Sequence, residues 1–312
     1  LDLALYLRKE LEKIPEILKD YAKNPPNIEI EELRAPIIAT GAGDSWVVAK
    51  ALHYLSKSLI IPADPYELQI FLPKELEGTL IAISVKGETK AVVNSAKKLR
   101  ERGWKVIAIT ANPTSALARI SHITVPVRYG GGSVPVGVGN FISAVLSAAS
   151  VIGYTAEETL PDMEVYGDPA SIITAASTIY TAGEGVMNVA AEFISLKLHE
   201  ALCRTSLYAP IEQLLHAYLY GIGKGGGALL FGGSAKSVKA FKILQEGGVQ
   251  ASLIKAENLE GLNTLISAVH KGIEYVADAV KELGVKEPCF LTRKELVELS
   301  TPEIYGGGAA GI

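Results

Sequence analysis

The sequence predicts an α/β protein built from two tandem copies of one parallel-sheet unit. Three observations predict it. From Pro36 onward, short apolar runs alternate with helical stretches. Strand–glycine–helix junctions in the first half recur in the second at closely similar offsets. The 312 residues suffice for two domains at about 150 residues each.

The elements follow in order. An amphipathic helix opens the chain from about Leu3 to Tyr21, and Pro15 kinks or splits it. Asn24-Pro25-Pro26-Asn27 reads as a loop. Buried strands are expected at Pro36–Thr40, Leu59–Ile61, Leu80–Ile83, Val106–Ile109 and Ile123–Val125. Between them, Glu88–Arg102 is a helix with Val92, Ala96 and Leu99 on one face. Basic residues fill its last turn and Gly103 stops it, as the helix dipole favours. Strands alternating with helices imply a sheet covered on both faces. In the second half, strands are expected at Ile179–Ala182, Ala228–Phe231 and Gln250–Ile254. A long helix runs to about Leu202, and another spans about Ser237–Gln245. Gly41-Ala42-Gly43 is answered by Gly183-Glu184-Gly185, Ser84 by Gly232, and Gly103 by Gly248. The expected divisions are a leader at 1–30, a first domain at 31–155, a second at 170–300 and a tail at 301–312. Gly225-Gly226-Gly227 is expected in a loop and Gly306-Gly307-Gly308 in the tail.

Composition excludes several classes of function. Hydrophobic residues make up 48% and charged residues 21%, and the net charge is −4. Without a basic excess or a polybasic cluster, neither nucleic acid nor anionic lipid is the expected partner. No apolar run reaches the roughly 18–20 residues of a membrane helix. Leu1–Glu12 is interrupted by charges and lacks a signal-peptide core. The two cysteines, Cys203 and Cys289, are too far apart for a metal motif and too few for a disulfide framework. They read as buried small hydrophobes, and a reducing cytoplasm fits best.

Two first-half segments have the composition of anion cradles. One is Thr40-Gly41-Ala42-Gly43-Asp44-Ser45 and the other Ser84-Val85-Lys86-Gly87-Glu88-Thr89. Glycine lets backbone approach a ligand, and a following helix N-terminus offers free N–H groups and partial positive charge. In a parallel sheet both loops fall at strand carboxyl ends. Each alone is equally consistent with a tight turn and an N-cap. Neither is a dinucleotide fingerprint or a P-loop, because the third glycine and the Gly-Lys-Ser/Thr run are missing.

On these residues the chain resembles the double SIS (sugar isomerase) domain family, and is similar to the isomerase half of glucosamine-6-phosphate synthase. The carrying motifs are Gly-x-Gly-x-Ser at Gly41–Ser45 and Ser-x-x-Gly-Glu-Thr at Ser84–Thr89. The leader Lys9–Glu16 is similar as well. The resemblance implies two flavodoxin-like three-layer α/β/α domains. It also implies a sugar phosphate held by Gly43, Asp44, Ser45, Ser84, Val85, Lys86 and Thr89. Lys86 stands where the family usually has serine, and Asp44 where it has Ser or Thr. Lys86 adds positive charge, while Asp44 repels a dianion unless turned away.

Moving a proton between C1 and C2 of a sugar needs a base that returns it, and ring opening needs a second acid/base. Leu196-Lys197-Leu198-His199-Glu200 reads by itself as an amphipathic helix with ion pairs. It resembles the family's Leu-Lys-Leu-Lys-Glu signature, which implies Glu200 as catalytic base and Lys197 as a substrate contact. The family's ring-opening histidine lies sixteen residues further on, at His216 here. The family's C-terminal lysine after a proline has no counterpart, since Pro302 is followed by Glu303-Ile304-Tyr305-Gly306. His53, His122, His199 and His270 read as structural.

The expected function is ketose–aldose isomerisation of a hexose 6-phosphate through a cis-enediol or enediolamine, without a glutaminase domain. The alternatives are glucosamine-6-phosphate deaminase, phosphoglucose/phosphomannose isomerase, and a non-catalytic sugar-phosphate sensor. No cofactor or metal is called for. The resemblance also implies a homodimer in which His216 reaches the neighbouring subunit's site.

Overall fold

The computed structural model describes residues 2–26, 33–72, 75–129 and 136–306. Asn27 of the expected loop, and Gly307 and Gly308 of the expected tail, lie outside the described residues. The elements run α1 (Leu3–Glu12), α2 (Ile14–Lys23), β1 (Ile37–Thr40), α3 (Asp44–Leu55), β2 (Ile60–Pro62), α4 (Pro65–Phe71), β3 (Thr79–Ile83), α5 (Lys90–Glu101), β4 (Lys105–Thr110), α6 (Ala116–Ile120), β5 (Ile123–Pro126) and α7 (Val138–Ser150). They continue as β6 (Glu164–Tyr166), α8 (Pro169–Ala175), β7 (Thr178–Gly183), α9 (Met187–Leu202), β8 (Thr205–Pro210), α10 (Ile211–His216), β9 (Gly226–Gly232), α11 (Ala235–Glu246), β10 (Gln250–Lys255), α12 (Leu262–Glu282), α13 (Cys289–Thr292) and α14 (Lys294–Tyr305). A single 3-10 turn, Tyr218–Gly221, follows α10.

The chain forms two units. One comprises Ile14–Glu158 with Lys294–Ile312, and the other Leu1–Lys13 with Thr159–Arg293. The first has a five-stranded sheet in the order β2-β1-β3-β4-β5, parallel throughout. This is the doubly wound order whose switch point lies between β1 and β3. One face is sealed by Val92, Ala96 and Leu99 of α5 and Leu117 of α6, packed on Leu80, Ala82, Val106 and Ala108. Trp104 joins that core fully buried, its indole N–H donating to the Leu76 carbonyl at 2.7 Å. Helices α3 and α7 pack together and against strands of the sheet. Three layers result, with α3 and α5 entering directly from β1 and β3.

The second unit repeats this scheme in the order β6-β10-β9-β7-β8. Strands β7 to β10 are mutually parallel and take the places of β1 to β4. The fifth place is taken by β6, which pairs antiparallel with β10. The expected all-parallel sheet is therefore corrected at this edge. The reason is connectivity: β6 lies in the segment that leads into the second unit, before its first parallel strand. Helices α10 and α11 cover one face through Ile211, Leu214, Ala240, Phe241 and Leu244. On the other, α9 packs on β7 and β8 and against α12, which in turn carries α1.

Several local expectations are met. The leader breaks at Lys13, where Pro15 enters the first turn of α2. Gly103 and Gly248 both stop helices at positive φ, +85° and +77°. Others need correction. Gly226 and Gly227 open β9, because a Cβ at Gly227 would come 2.5 Å from Ile172 of α8. Residues 301–305 continue α14 and are not a tail.

The cysteine reading is also overturned. Cys203 and Cys289 form a disulfide, with their Cα atoms 5.5 Å apart. Both are only half-buried, so neither is a core hydrophobe. Their 86-residue separation hid a proximity that only the docking of α13 on α9 creates. The cysteine argument for a reducing compartment falls with it. Among the described residues, no helix is long and apolar enough to cross a membrane.

Candidate active site

In the first unit, the β1–α3 and β3–α5 loops leave the carboxyl ends of adjacent strands, with Thr40 opposite Ala82. Gly43 takes φ +58°, ψ −128°, which glycine alone adopts readily, and turns the chain directly into α3. Ala42 and Gly43 are exposed, Asp44 opens the helix, and Ser45 is buried beneath. In the second loop, the Ser84 and Thr89 hydroxyls are 3.0 Å apart. Gly87, at φ +70°, lets the loop pass Ser115, where a Cβ would come 2.1 Å from its hydroxyl. The Glu88 carboxylate caps α6 by accepting from the Ala116 amide at 3.0 Å, which directs it into structure. The Val85 carbonyl accepts from Thr110 and from the Ala111 amide.

Helices α1, α4, α6, α8 and α11 have side-chain N-caps from Asp2, Asp64, Ser115, Asp168 and Ser234. Helices α3 and α5 have none, and neither do α7, α9, α10, α12 and α13. The first-turn amides of α3 and α5 carry the partial positive charge of two twelve-residue helices at one sheet switch point. Such a pair of N-termini, flanked by the Ser84 and Thr89 hydroxyls, suits a small dianion.

Sequence reading missed what stands beside Lys86. The exposed Lys86 ammonium lies 5.9 Å from the ring centroid of Tyr305, within cation–π range. Next to it, Lys90 pairs with Glu303 at 3.2 Å. Burial pushes the Tyr305 phenol above its ordinary pKa. The segment after Pro302, which lacks the family's lysine, thus supplies an aromatic ring and a carboxylate to the second loop. A pattern search for lysine passes over both.

In the second unit, α9 carries Lys197 and Glu200. Lys197 is fully buried, and its ammonium reaches the Glu200 carboxylate at 2.7 Å, where the Glu200 side chain is 31% exposed. The same ammonium lies 4.8 Å from the Phe193 ring centroid. A charge is tolerated at such depth because it is paired. One end of the pair is sealed and the other reaches solvent. His216 closes α10 with its side chain 71% exposed, and its Nε2 is 2.9 Å from the Glu212 carboxylate. Lys236 holds the other oxygen of Glu212. His53, His122 and His199 bond to backbone at Ile60, Val106 and Ser206, as their structural reading expects. Among the described residues, no group of His, Cys, Asp or Glu could hold a metal ion.

Residues 74–152 match the SIS domain model. The chain is similar to glutamine–fructose-6-phosphate aminotransferase (isomerizing) of Pyrobaculum aerophilum, 29% identical over 156 residues. That match covers 47% of this chain and 26% of the relative, so the chain spans a fraction of that protein's length. Among solved structures, glucosamine-6-phosphate deaminase from Thermotoga maritima matches with a TM-score of 0.69 at 15% identity, covering 89% of this chain and 94% of that one. The C-terminal domain of glucosamine-fructose-6-phosphate aminotransferase from Francisella tularensis matches with a TM-score of 0.69 at 14% identity, covering 88% and 96%. At these identities the likeness is one of fold. The SIS resemblance is borne out by sequence in the first half and by fold over most of the chain.

Proposed function

We propose that this chain, with a SIS domain in its first half and the same fold repeated in its second, is a phosphosugar ketose–aldose isomerase acting on a hexose 6-phosphate. The observation that carries the reading is the convergence of two hydroxyl-bearing loops and two helix N-termini at one sheet switch point. Helices α3 and α5 leave adjacent strands at the switch point and open without side-chain caps beside Ser45, Ser84 and Thr89. In this reading Gly43, Asp44 and Val85 offer backbone groups, the hydroxyls donate to phosphate oxygens, and Lys86 adds charge. The activities named for the similar proteins, amino transfer to fructose 6-phosphate and deamination of glucosamine 6-phosphate, both concern hexose 6-phosphates.

Glu200 is the proposed base. It removes the C1 proton of the open-chain ketose, leaving a cis-enediolate; with the O1 proton passed to O2, return of the first proton to C2 gives the aldose. The Lys197 ammonium orients the Glu200 carboxylate. Enclosed as it is, Lys197 acts as a positioning group, where the resemblance implied a substrate contact. His216 opens the ring. Its exposure suits donation to the site of a second subunit in a homodimer, and the exposed Tyr218 and Tyr220 flank it. The cytoplasm is the proposed compartment, where phosphorylated sugars are turned over. A single internal disulfide is compatible with it in some organisms.

The test is incubation with fructose 6-phosphate in deuterated water. Deuterium at C2 of an aldose product supports the isomerase. Ammonia released from glucosamine 6-phosphate marks a deaminase. Binding with neither reaction marks a sensor and overturns the catalytic assignment.

A further inference from the structure

The second unit contains a counterpart of the phosphate cradle, and a side chain of the protein already sits in it. Aligned on Gly41-Ala42-Gly43 and Gly183-Glu184-Gly185, the two units correspond across neighbouring strands through sheet register. Thr40 lies opposite Ala82 in the first, and Ala182 opposite Leu230 in the second. One residue on from Thr40 and Ala182, Gly41 corresponds to Gly183, and next Ala42 to Glu184. On the neighbouring strand, Ser84 corresponds to Gly232, Val85 to Gly233, Lys86 to Ser234 and Thr89 to Ser237.

Glu184 occupies the place this alignment gives to an anion. Its Oε1 accepts from the Gly233 amide at 2.7 Å and the Ser234 amide at 2.8 Å. Its Oε2 accepts from the Ser234 hydroxyl at 2.6 Å. These groups correspond to Val85 and Lys86 of the loop proposed to hold phosphate. Two positions differ together between the units. Where Glu184 supplies a carboxylate, its neighbour is Gly232, and a Cβ there would come 2.5 Å from Glu184 Oε1. Where Ser84 supplies a hydroxyl, the partner position is the exposed Ala42, whose methyl group offers no hydrogen bond. Partial burial pushes the Glu184 carboxyl up, but the Ser234 hydroxyl, the Ser234 and Gly233 amides and Ser237 outweigh it. The group stays below the ordinary carboxylate range and is ionised.

We infer that Glu184 is a resident anion: its carboxylate fills the second unit's anion cradle, and shortening it opens a site for inorganic phosphate or a phosphomonoester at Gly233, Ser234 and Ser237. The phosphate role of the first cradle rests on the function proposed above, but the second cradle is tested by its own occupant. Glu184 thereby limits the chain to one phosphate and reserves the second unit for other chemistry.

The experiment counts inorganic phosphate bound per chain by calorimetry for the full-length wild type, Glu184→Ala and Glu184→Gln. The last keeps the side chain's length and blocks the cradle. Glu184→Ala is expected to bind one phosphate more than wild type, at millimolar affinity. Glu184→Gln is expected to bind no more, and Ser234→Ala added to Glu184→Ala to lose the gain. If Glu184→Ala is folded and gains no phosphate, the inference is overturned. If it needs phosphate to fold, chloride at equal ionic strength must not replace it, and failure of phosphate to rescue also overturns the inference. A wild type that binds none beside a Glu184→Ala that binds one removes the first-cradle reading and leaves this inference standing.

Discussion

The Lys197 ammonium, fully buried, lies 2.7 Å from the part-exposed carboxylate of Glu200, three residues on along α9. The pair is asymmetric, and the asymmetry predicts different costs for its two halves. Glu200→Gln removes the carboxylate from a buried cation, so it should lower stability by about 2 kcal/mol and C1–C2 exchange by about 10²–10⁴-fold. Lys197→Met fills the same space without charge. Its stability should stay close to wild type while exchange falls, because Glu200 loses its orienting partner. Chemical denaturation and deuterium exchange on each variant check both.

Thr89→Val removes one of the two bridged hydroxyls beside α5 and keeps the side chain's shape. The KM for the sugar phosphate should rise about tenfold, as expected for one hydrogen bond to a charged group, with kcat changed less. Steady-state kinetics read the split. A loss in kcat alone would remove Thr89 from phosphate binding.

Glu200→Gln and His216→Ala subunits, each inactive alone, should complement when mixed and refolded. If His216 serves the neighbouring subunit, an equal mixture recovers about a quarter of wild-type activity, since half the dimers carry one complete site. No recovery is expected if both residues serve the same subunit's site.

Cys203 ends α9 in the left-handed region, at φ +46°, and is tied to Cys289. The bond closes a loop across the second unit, so Cys289→Ser should lower stability by about 2–5 kcal/mol. Melting with and without reductant checks this. Reductant should lower the wild-type midpoint and leave that of Cys289→Ser unchanged.

Glu184 is held below the carboxylate reference of 4.5 by its hydrogen bonds. A carboxyl depressed on folding stabilises the fold above its unfolded pKa and loses that contribution as pH falls through the folded pKa. The advantage of wild type over Glu184→Gln should therefore be full near neutrality and shrink below pH 4.5. Urea denaturation across that range measures it. An advantage that grows on acidification would contradict the assigned shift.

The sequence by itself determined the doubly wound scheme and its repetition. Strand cores such as Leu80–Ile83 and Val106–Ile109, and stops such as Gly103 and Gly248, declare themselves through local apolar runs and backbone permissiveness. It also singled out both cradle loops and the Lys197–Glu200 segment, because their residue types are local. Tertiary structure decided what depends on distant partners. β6 takes its antiparallel edge through where the incoming segment meets β10. Cys203 and Cys289 are joined by the docking of α13, and Tyr305 is brought to Lys86 by α14. Above all, Gly183-Glu184-Gly185 and Gly41-Ala42-Gly43 look alike in sequence. Only the pairing of β7 with β9 brings the carboxylate of one of them onto the Gly233 and Ser234 amides and the Ser234 hydroxyl. Periodicity and turn chemistry are written in neighbouring residues, whereas a carboxylate's partner is fixed by strands that meet only when the sheet forms.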